Sequence, residues 1–183
     1  MTDKHHIIEY LDDSITCIGQ LKTKVDQIKR VIEKLEWARK QGKKVFLMGN
    51  GGSASLASHL ICDFNKFRRL KAIALTDNMP LITAWSNDAD YSMVFQEQLR
   101  TLAESSDIVI GISGSGNSPN IIKGIEFAKQ IGCYTIGFAG FDGGKLAKVA
   151  DECIIVEVKN MQHSEDMHTL LGHMIAFLMT EAE

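Results

Sequence analysis

Five short apolar runs, separated by segments of helical length, are the feature of this 183-residue sequence that most restricts its fold. The runs lack polar alternation, which predicts strands buried on both faces, and the long intervals between them predict helical crossovers between parallel strands. The expected fold class is therefore α/β: a doubly wound, flavodoxin-like sheet of five parallel strands. The predicted strands cover residues 45–48, 72–75, 108–112, 134–138 and 154–156.

Ahead of the first strand, apolar residues recur at helical spacing from Ile15 to Leu35 and predict one long amphipathic helix that ends near Gly42. A helix of roughly 25 residues, at 1.5 Å each, outreaches the depth of a small domain. Part of its apolar stripe is therefore expected to pack on another subunit. We expect a single domain over residues 1–183, with 1–42 as a helical segment used in oligomerisation.

Composition excludes several classes of partner. A net charge of −3 and an isoelectric point near 6.1 provide no basic surface for nucleic acid or for an anionic membrane. The four cysteines are widely spaced, which favours buried thiols in a reducing compartment over a disulfide framework. The amphipathic N-terminal region resembles neither a signal peptide nor a membrane span. A cytoplasmic protein with no nucleic-acid or membrane partner is expected.

The first glycine-rich loop, residues 49–53, follows the first predicted strand and precedes a helix expected to begin near Ala54. Glycines let backbone N–H groups approach a ligand, and the helix N-terminus adds partial positive charge, so the loop is suited to bind an anion or hydroxyls. Its Gly-x-Gly-x-x-Ala pattern also fits a relaxed dinucleotide fingerprint, with Asp77 in place of a ribose-binding acid. A tight turn without a ligand is the third interpretation.

The second glycine-rich loop, residues 113–119, follows the strand 108–112 and opens a helix at Pro119. Its serine hydroxyls and backbone amides form the kind of nest that binds phosphate without lysine or arginine. Simple turn chemistry is the alternative, although it explains three closely spaced serines poorly. Neither loop is followed by Gly-Lys-Ser/Thr, so nucleotide hydrolysis is not expected.

Histidines and carboxylates form two further clusters. His59 and Asp63 are four residues apart and share one helix face. The second cluster begins the last predicted helix and comprises Glu165, Asp166, His168 and His173. Such residues could together bind a divalent metal, and the ligand types favour zinc in a catalytic rather than a structural site. Taken singly, each histidine has a simpler explanation as a hydrogen-bonded structural residue.

Four motifs occur in matching order across almost the whole chain: Gly-Asn-Gly-Gly-Ser at 49–53, Asn-Asp at 87–88, Gly-Ile-Ser-Gly-Ser-Gly-Asn-Ser-Pro at 111–119, and Glu-Asp-x-His at 165–168. Together they resemble the phosphoheptose isomerases of the SIS (sugar isomerase) superfamily. The resemblance implies conversion of sedoheptulose 7-phosphate to D-glycero-D-manno-heptose 7-phosphate, in a homotetramer whose active sites are shared between adjacent subunits.

The resemblance also implies roles for individual residues. The substrate-binding set is Asn50, Gly51, Gly52, Ser53, Asn87, Asp88, Ser113, Gly114, Ser115 and Ser118, with the three serines of the second loop on the phosphate. One zinc ion per site would be bound by His59, Asp63, Glu165 and His173.

Two positions depart from the family pattern: Asp63 stands where glutamate is usual, and Glu165 stands where glutamine is usual. An enediol reaction needs a carboxylate base and an acid, and we assign these to Asp63 and His173, with Glu165 as a compensating ligand or base. On an ideal helix Glu165 and His173 are about 80° and ~12 Å apart, whereas Asp166 nearly aligns with His173. A site shared between subunits accommodates this separation.

Two other function classes remain open at this stage. SIS proteins similar to this one include non-catalytic sugar-phosphate-binding regulators and assembly proteins, and the intact carboxylate and histidine set favours an enzyme over these. A dinucleotide-binding oxidoreductase would leave the serine nest and the terminal cluster unexplained. The sequence does not decide between sugars of six, seven or eight carbons, nor does it identify the pathway.

Overall fold

A computed structural model describes residues 3–180 as a five-stranded sheet flanked by helices. All strand pairs are parallel and the order is β2-β1-β3-β4-β5, so the expected doubly wound sheet is confirmed. Each predicted strand lies within two residues of its observed bounds. The strands are β1 Lys44–Met48, β2 Lys71–Ala74, β3 Ile108–Ser113, β4 Tyr134–Ala139 and β5 Glu152–Ile155.

Helices connect every strand to the next and cover both faces of the sheet. They are α1 Lys4–Lys22, α2 Val25–Lys40, α3 Gly52–Cys62, α4 Met79–Asp88, α5 Val94–Leu102, α6 Pro119–Gln130, α7 Leu146–Val149 and α8 Met161–Leu178. One apolar core lies between the sheet and α2, α3 and α8, and the other lies between the sheet and α5 and α6. The uninterrupted apolar runs of the central strands contribute side chains to both cores.

The expectation of strands buried on both faces fails at β2. Its residues alternate between exposed and buried, with Ile73 37% exposed, whereas all residues of β3 are buried. The cause is position, because β2 is an edge strand and β3 is central.

The N-terminal segment is two helices rather than the single long helix expected. The break lies at Thr23 and Lys24, whose N–H groups bond to carbonyls three residues back. The Thr23 hydroxyl also donates to the Gln20 carbonyl, a local bond that competes with the helical ladder. The Gln20 side chain in turn exchanges two hydrogen bonds with the backbone of Glu157, which anchors the end of α1.

α1 leaves much of its apolar surface uncovered in the single chain. The apolar side chains that are at least 40% exposed include Ile7, Ile8, Leu11, Ile15 and Ile18. Among residues 3–180, no helix has both the length and the apolar character needed to cross a membrane. The four cysteines are free thiols, and Cys17 and Cys133 are buried as expected, but Cys62 is exposed.

Candidate active site

The strand order reverses between β1 and β3, and both glycine-rich loops lie at the carboxyl ends of these adjacent strands. A doubly wound sheet binds ligands in the crevice at this point. The fold therefore brings together two loops that are about sixty residues apart in sequence.

The first loop joins β1 to α3 through backbone that requires glycine. Gly51 has φ +54° and ψ −124°, a region that residues with a Cβ rarely adopt. A Cβ on Gly49 would overlap the backbone of Ser53. α3 begins at Gly52, so its positive end faces the crevice, and the N–H groups of Ser53 and Ala54 in its first turn bond to carbonyls of the loop.

A network that the sequence did not reveal holds the Asn50 side chain. Asn50 and Asn120 exchange two side-chain hydrogen bonds, of 2.9 and 2.8 Å. The Tyr91 hydroxyl donates to Asn50 Oδ1 at 2.8 Å. Asn120 lies in the first turn of α6, so this network joins the two glycine loops. The signal that could have revealed it is the adjacency of β1 and β3, which places α6 beside the first loop.

The second loop brings together two of the three serine hydroxyls that the sequence predicts for a nest. The Ser113 and Ser118 hydroxyls are 3.1 Å apart, and Ser115 Oγ accepts from the Asn117 N–H. Gly116 has φ +64° and passes so close to Gly143 that a Cβ would overlap its carbonyl. Pro119 is at the first position of α6, as expected.

The start of α8 closes this end of the crevice. A Cβ on Gly114 would overlap the Met161 sulfur, and the Ser164 side chain packs against Gly140 at the end of β4. The beginning of the last helix therefore lies directly on the second glycine-rich loop.

Asn87 and Asp88 are the last residues of α4. Both are exposed, and Asn87 donates to the Asp88 carboxylate at 2.8 Å. Tyr91 follows three residues later and reaches Asn50, which places this segment beside the first glycine loop.

Three of the four expected zinc ligands come together. His59 and His173 have their Nε2 atoms 2.8 Å apart, and His173 Nε2 is 3.9 Å from Asp63 Oδ2. The ligand atoms of all three lie within 4.8 Å of one another. Asp63 starts a π-helical turn, Asp63–Phe67, that continues from α3, a distortion often found at functional sites. We call His59, Asp63 and His173 the triad.

Glu165 does not join the triad within one chain. Its carboxylate lies against Gly52, at the opposite end of α3, where a Cβ on the glycine would overlap it. α3 and α8 run side by side in the same direction, since Leu60 packs on Gly172 just as Gly52 packs on Glu165. The eight residues from Glu165 to His173 therefore correspond to about 12 Å along the helix.

Asp166 is also directed away from the triad, because its carboxylate accepts from the Tyr10 hydroxyl of α1 at 3.0 Å. The near alignment of Asp166 with His173 on an ideal helix therefore does not make it a ligand. Within the chain, Asp166 helps to dock α1 on α8.

His168 is a buried histidine of the same helix, 1% exposed. Neither ring nitrogen has a partner of regular hydrogen-bond geometry among residues 3–180. Burial lowers the pKa of His168 to about 4, and the Ala139 carbonyl offsets this only in part. The ring adjoins a cavity of about 170 Å³ that Gly52, Ser53 and Glu165 also line.

Asp77, the residue that a dinucleotide site would use for the ribose, is engaged locally. Its carboxylate accepts from the hydroxyls of Ser58 and Thr76. The loop thus resembles the dinucleotide fingerprint in its glycines but not in its acidic residue.

Comparisons with known proteins agree with this geometry. A family model described as SIS domain matches residues 9–140. A probable phosphoheptose isomerase of Thermoplasma acidophilum is 41% identical over 178 residues, which covers 94% of this chain and 97% of the relative. The chain belongs to the phosphoheptose isomerase family. Family membership overturns the oxidoreductase alternative.

Solved phosphoheptose isomerases share the whole fold. The enzyme of Neisseria gonorrhoeae superposes with a TM-score of 0.93 at 29% identity, covering 97% of this chain and 98% of the other. The enzyme of Francisella tularensis gives 0.92 at 28% identity, with 98% of each chain covered. The expected family and fold are thus confirmed together.

Proposed function

We propose that this chain is a sugar-phosphate isomerase that interconverts sedoheptulose 7-phosphate and D-glycero-D-manno-heptose 7-phosphate. The observation that carries the proposal is the triad, a base, an acid and a further ligand within 4.8 Å, in a phosphoheptose isomerase fold. A protein that only binds sugar phosphates has no need of such a group. The free cysteines suit the reducing cytoplasm.

The phosphate binds in the nest of Ser113, Ser115 and Ser118. The serine hydroxyls donate to its oxygens, and the positive end of α6 favours its charge. Gly114 lets the loop backbone approach closely.

The sugar chain runs from the nest along the crevice between the two loops. Its hydroxyls contact Asn50, Gly51, Gly52 and Ser53 on one side and Asn87 and Asp88 on the other. Asn50 is held in place by its two hydrogen bonds to Asn120, which supports its role as a positioned contact.

Isomerisation moves a proton between C1 and C2 through an enediol. The Asp63 carboxylate takes the proton from one carbon and returns it to the next, while His173 exchanges a proton with the adjacent oxygens. The 3.9 Å between Asp63 and His173 allows both to reach neighbouring atoms of one substrate.

Zinc fits the triad by chemistry and spacing. Bonds of about 2.0 Å in tetrahedral geometry place neighbouring ligand atoms about 3.3 Å apart, and the observed 2.8 and 3.9 Å lie on either side of that value. His59, Asp63 and His173 would hold the ion, which would supply a Lewis acid that polarises the ketose carbonyl. Because the ion would occupy the lone pair of His173 Nε2, it would replace the proton exchange by His173, while the second oxygen of Asp63 would remain free to act as the base.

Glu165 enters the site from an adjacent subunit of a homotetramer. The support is its ~12 Å separation from His173 along α8, together with the exposed apolar stripe of α1. The segment 1–42, in the single domain 1–183, supplies this subunit contact.

The experiment is to incubate zinc-loaded protein with sedoheptulose 7-phosphate and to follow aldose anomeric signals by NMR. The proposal expects an aldose phosphate that forms with the wild type and not with Asp63→Asn. Binding of the phosphosugar without any conversion would instead support the regulator alternative.

A further inference from the structure

The hydrogen bonds around Asn50 fix which atom of its amide donates and which accepts. The backbone N–H of Ile121 donates to Asn120 Oδ1 at 3.0 Å. A backbone N–H can only donate, so this atom of Asn120 is the oxygen and its neighbour is the nitrogen. Asn50 Nδ2 must then donate to Asn120 Oδ1, while Asn50 Oδ1 accepts from Asn120 Nδ2.

The Tyr91 hydroxyl completes this assignment. Asn50 Oδ1 has two lone pairs, and Asn120 Nδ2 and Tyr91 Oη occupy both. Among the hydrogen-bond donors and acceptors of the Asn50 side chain, one N–H is left for a ligand. The hydrogen of Tyr91 is directed at Asn50, so the lone pairs of Tyr91 Oη are left to accept.

Tyr91 is placed where a ligand can reach it. It is 50% exposed, and the 3₁₀ turn that carries it, Tyr91–Met93, contributes no buried residue to the core. Asn120 alone already orients the Asn50 amide through two bonds. A further bond from an exposed tyrosine is not needed to hold the loop.

We propose that Tyr91 is a substrate-contacting, specificity-determining residue that accepts a hydrogen bond from a sugar hydroxyl beside Asn50. The remaining N–H of Asn50 and the Tyr91 oxygen lie on opposite edges of the Asn50 amide, so Asn50 donates to one oxygen of the sugar and Tyr91 Oη accepts the hydrogen of another hydroxyl. A hydroxyl can donate to Tyr91 Oη, whereas a carbonyl or a phosphate oxygen cannot. This inference rests on the proposed function, since it assigns the pair to the polyol chain of the phosphosugar.

The test compares Tyr91→Phe with Tyr134→Phe. Tyr134 begins β4, at the amino ends of the strands and therefore opposite the glycine loops. Tyr134→Phe thus removes the same phenol oxygen at a place outside the site. For Tyr91→Phe we expect a KM for sedoheptulose 7-phosphate about five- to tenfold higher, as for one lost hydrogen-bonding group, with kcat within about twofold. Tyr134→Phe should retain both constants.

A second measurement does not depend on turnover. In the ¹H–¹⁵N spectrum, adding sedoheptulose 7-phosphate to the wild type should shift the side-chain NH₂ signals of Asn50. The shift should be smaller in Tyr91→Phe at equal occupancy. Matching melting temperatures would exclude a folding defect as the cause of the altered KM.

Failure of the Tyr91 proposal and failure of the proposed isomerase activity would give different results. If the wild type isomerises the sugar while Tyr91→Phe has an unchanged KM and the Asn50 signals do not move, the inference is wrong and the isomerase stands. If the wild type neither binds nor converts the sugar, both are overturned.

Discussion

The Glu165 carboxylate lies so close to Gly52 that a Cβ at position 52 would occupy its place. The first residue of α3 and the second turn of α8 are thus fitted to each other. Glycine at this position leaves room for a charged side chain beside the N-terminus of a helix, where a carboxylate is stabilised.

Gly52→Ala is expected to displace Glu165 and to lower kcat/KM at least about tenfold, the size of one lost charge-assisted contact. Glu165→Ala should cause a similar loss. Because both act on one carboxylate, the double variant should be no worse than the single ones. Losses that multiply in the double variant would contradict this coupling.

Asp63→Asn and His173→Ala are expected to fold and assemble normally but to lose at least about a hundredfold in kcat, as for removal of a positioned base or acid. The measurement is turnover of sedoheptulose 7-phosphate beside circular dichroism. Glu126→Gln, the same kind of change on the exposed surface of α6, serves as control. Near-normal turnover in either site variant would reject the assignment.

His59→Ala is expected to reduce the zinc retained after dialysis from about one ion per chain to well below half, since it removes one of three clustered ligands. Metal analysis by mass spectrometry measures this without an assay. His6→Ala, in the exposed first turns of α1, should retain the metal. Equal zinc content in both variants would show that the triad is not the zinc site.

Ile15→Asp is expected to shift the protein to smaller assemblies and to lower activity, because it places a charge in the exposed apolar stripe of α1. Ile15 is 66% exposed in the single chain. Light scattering gives the mass, and Leu102→Asp at the end of α5 is the control for adding a charge elsewhere. An unchanged mass would exclude this stripe from the subunit contact.

Acid should destabilise the protein partly through His168. Its folded pKa of about 4 lies below the ordinary value of 6.5, so the unfolded chain binds the extra proton first. Stability is therefore lost as pH falls from about 6.5 to about 4, by about 3 kcal/mol in total. The free energy of unfolding, measured with urea at several pH values, should fall less steeply with decreasing pH in His168→Phe than in the wild type. An equally steep fall in both proteins would refute the role assigned to His168.

The sheet was predictable because a parallel strand buried on both faces leaves an uninterrupted apolar run. The edge position of β2 was not, since exposure of Ile73 depends on which strand lies beside it. The break at Thr23 was equally hidden, because the bonds of Gln20 to Glu157 connect residues far apart in sequence.

The site was predictable where the chemistry is local. Two glycine loops and the pair His59 and Asp63 carry their own spacing. Tyr91 and Asn120 were missed because they lie 41 and 70 residues from Asn50, and only the strand order brings them together. The position of Glu165 depends on how α8 lies along α3.

That side-by-side course of α3 and α8 affects how defects spread through an assembly. One end of the helix pair lies on the second glycine-rich loop and the other carries the triad, so in the proposed shared sites each chain contributes a different end to each of two centres. A chain that is defective at one end still supplies its intact end to a neighbour. In assemblies that mix Asp63→Asn with Glu165→Ala chains, the intact triad of one chain and the intact Glu165 of the other therefore meet in some sites and restore activity that neither variant has alone.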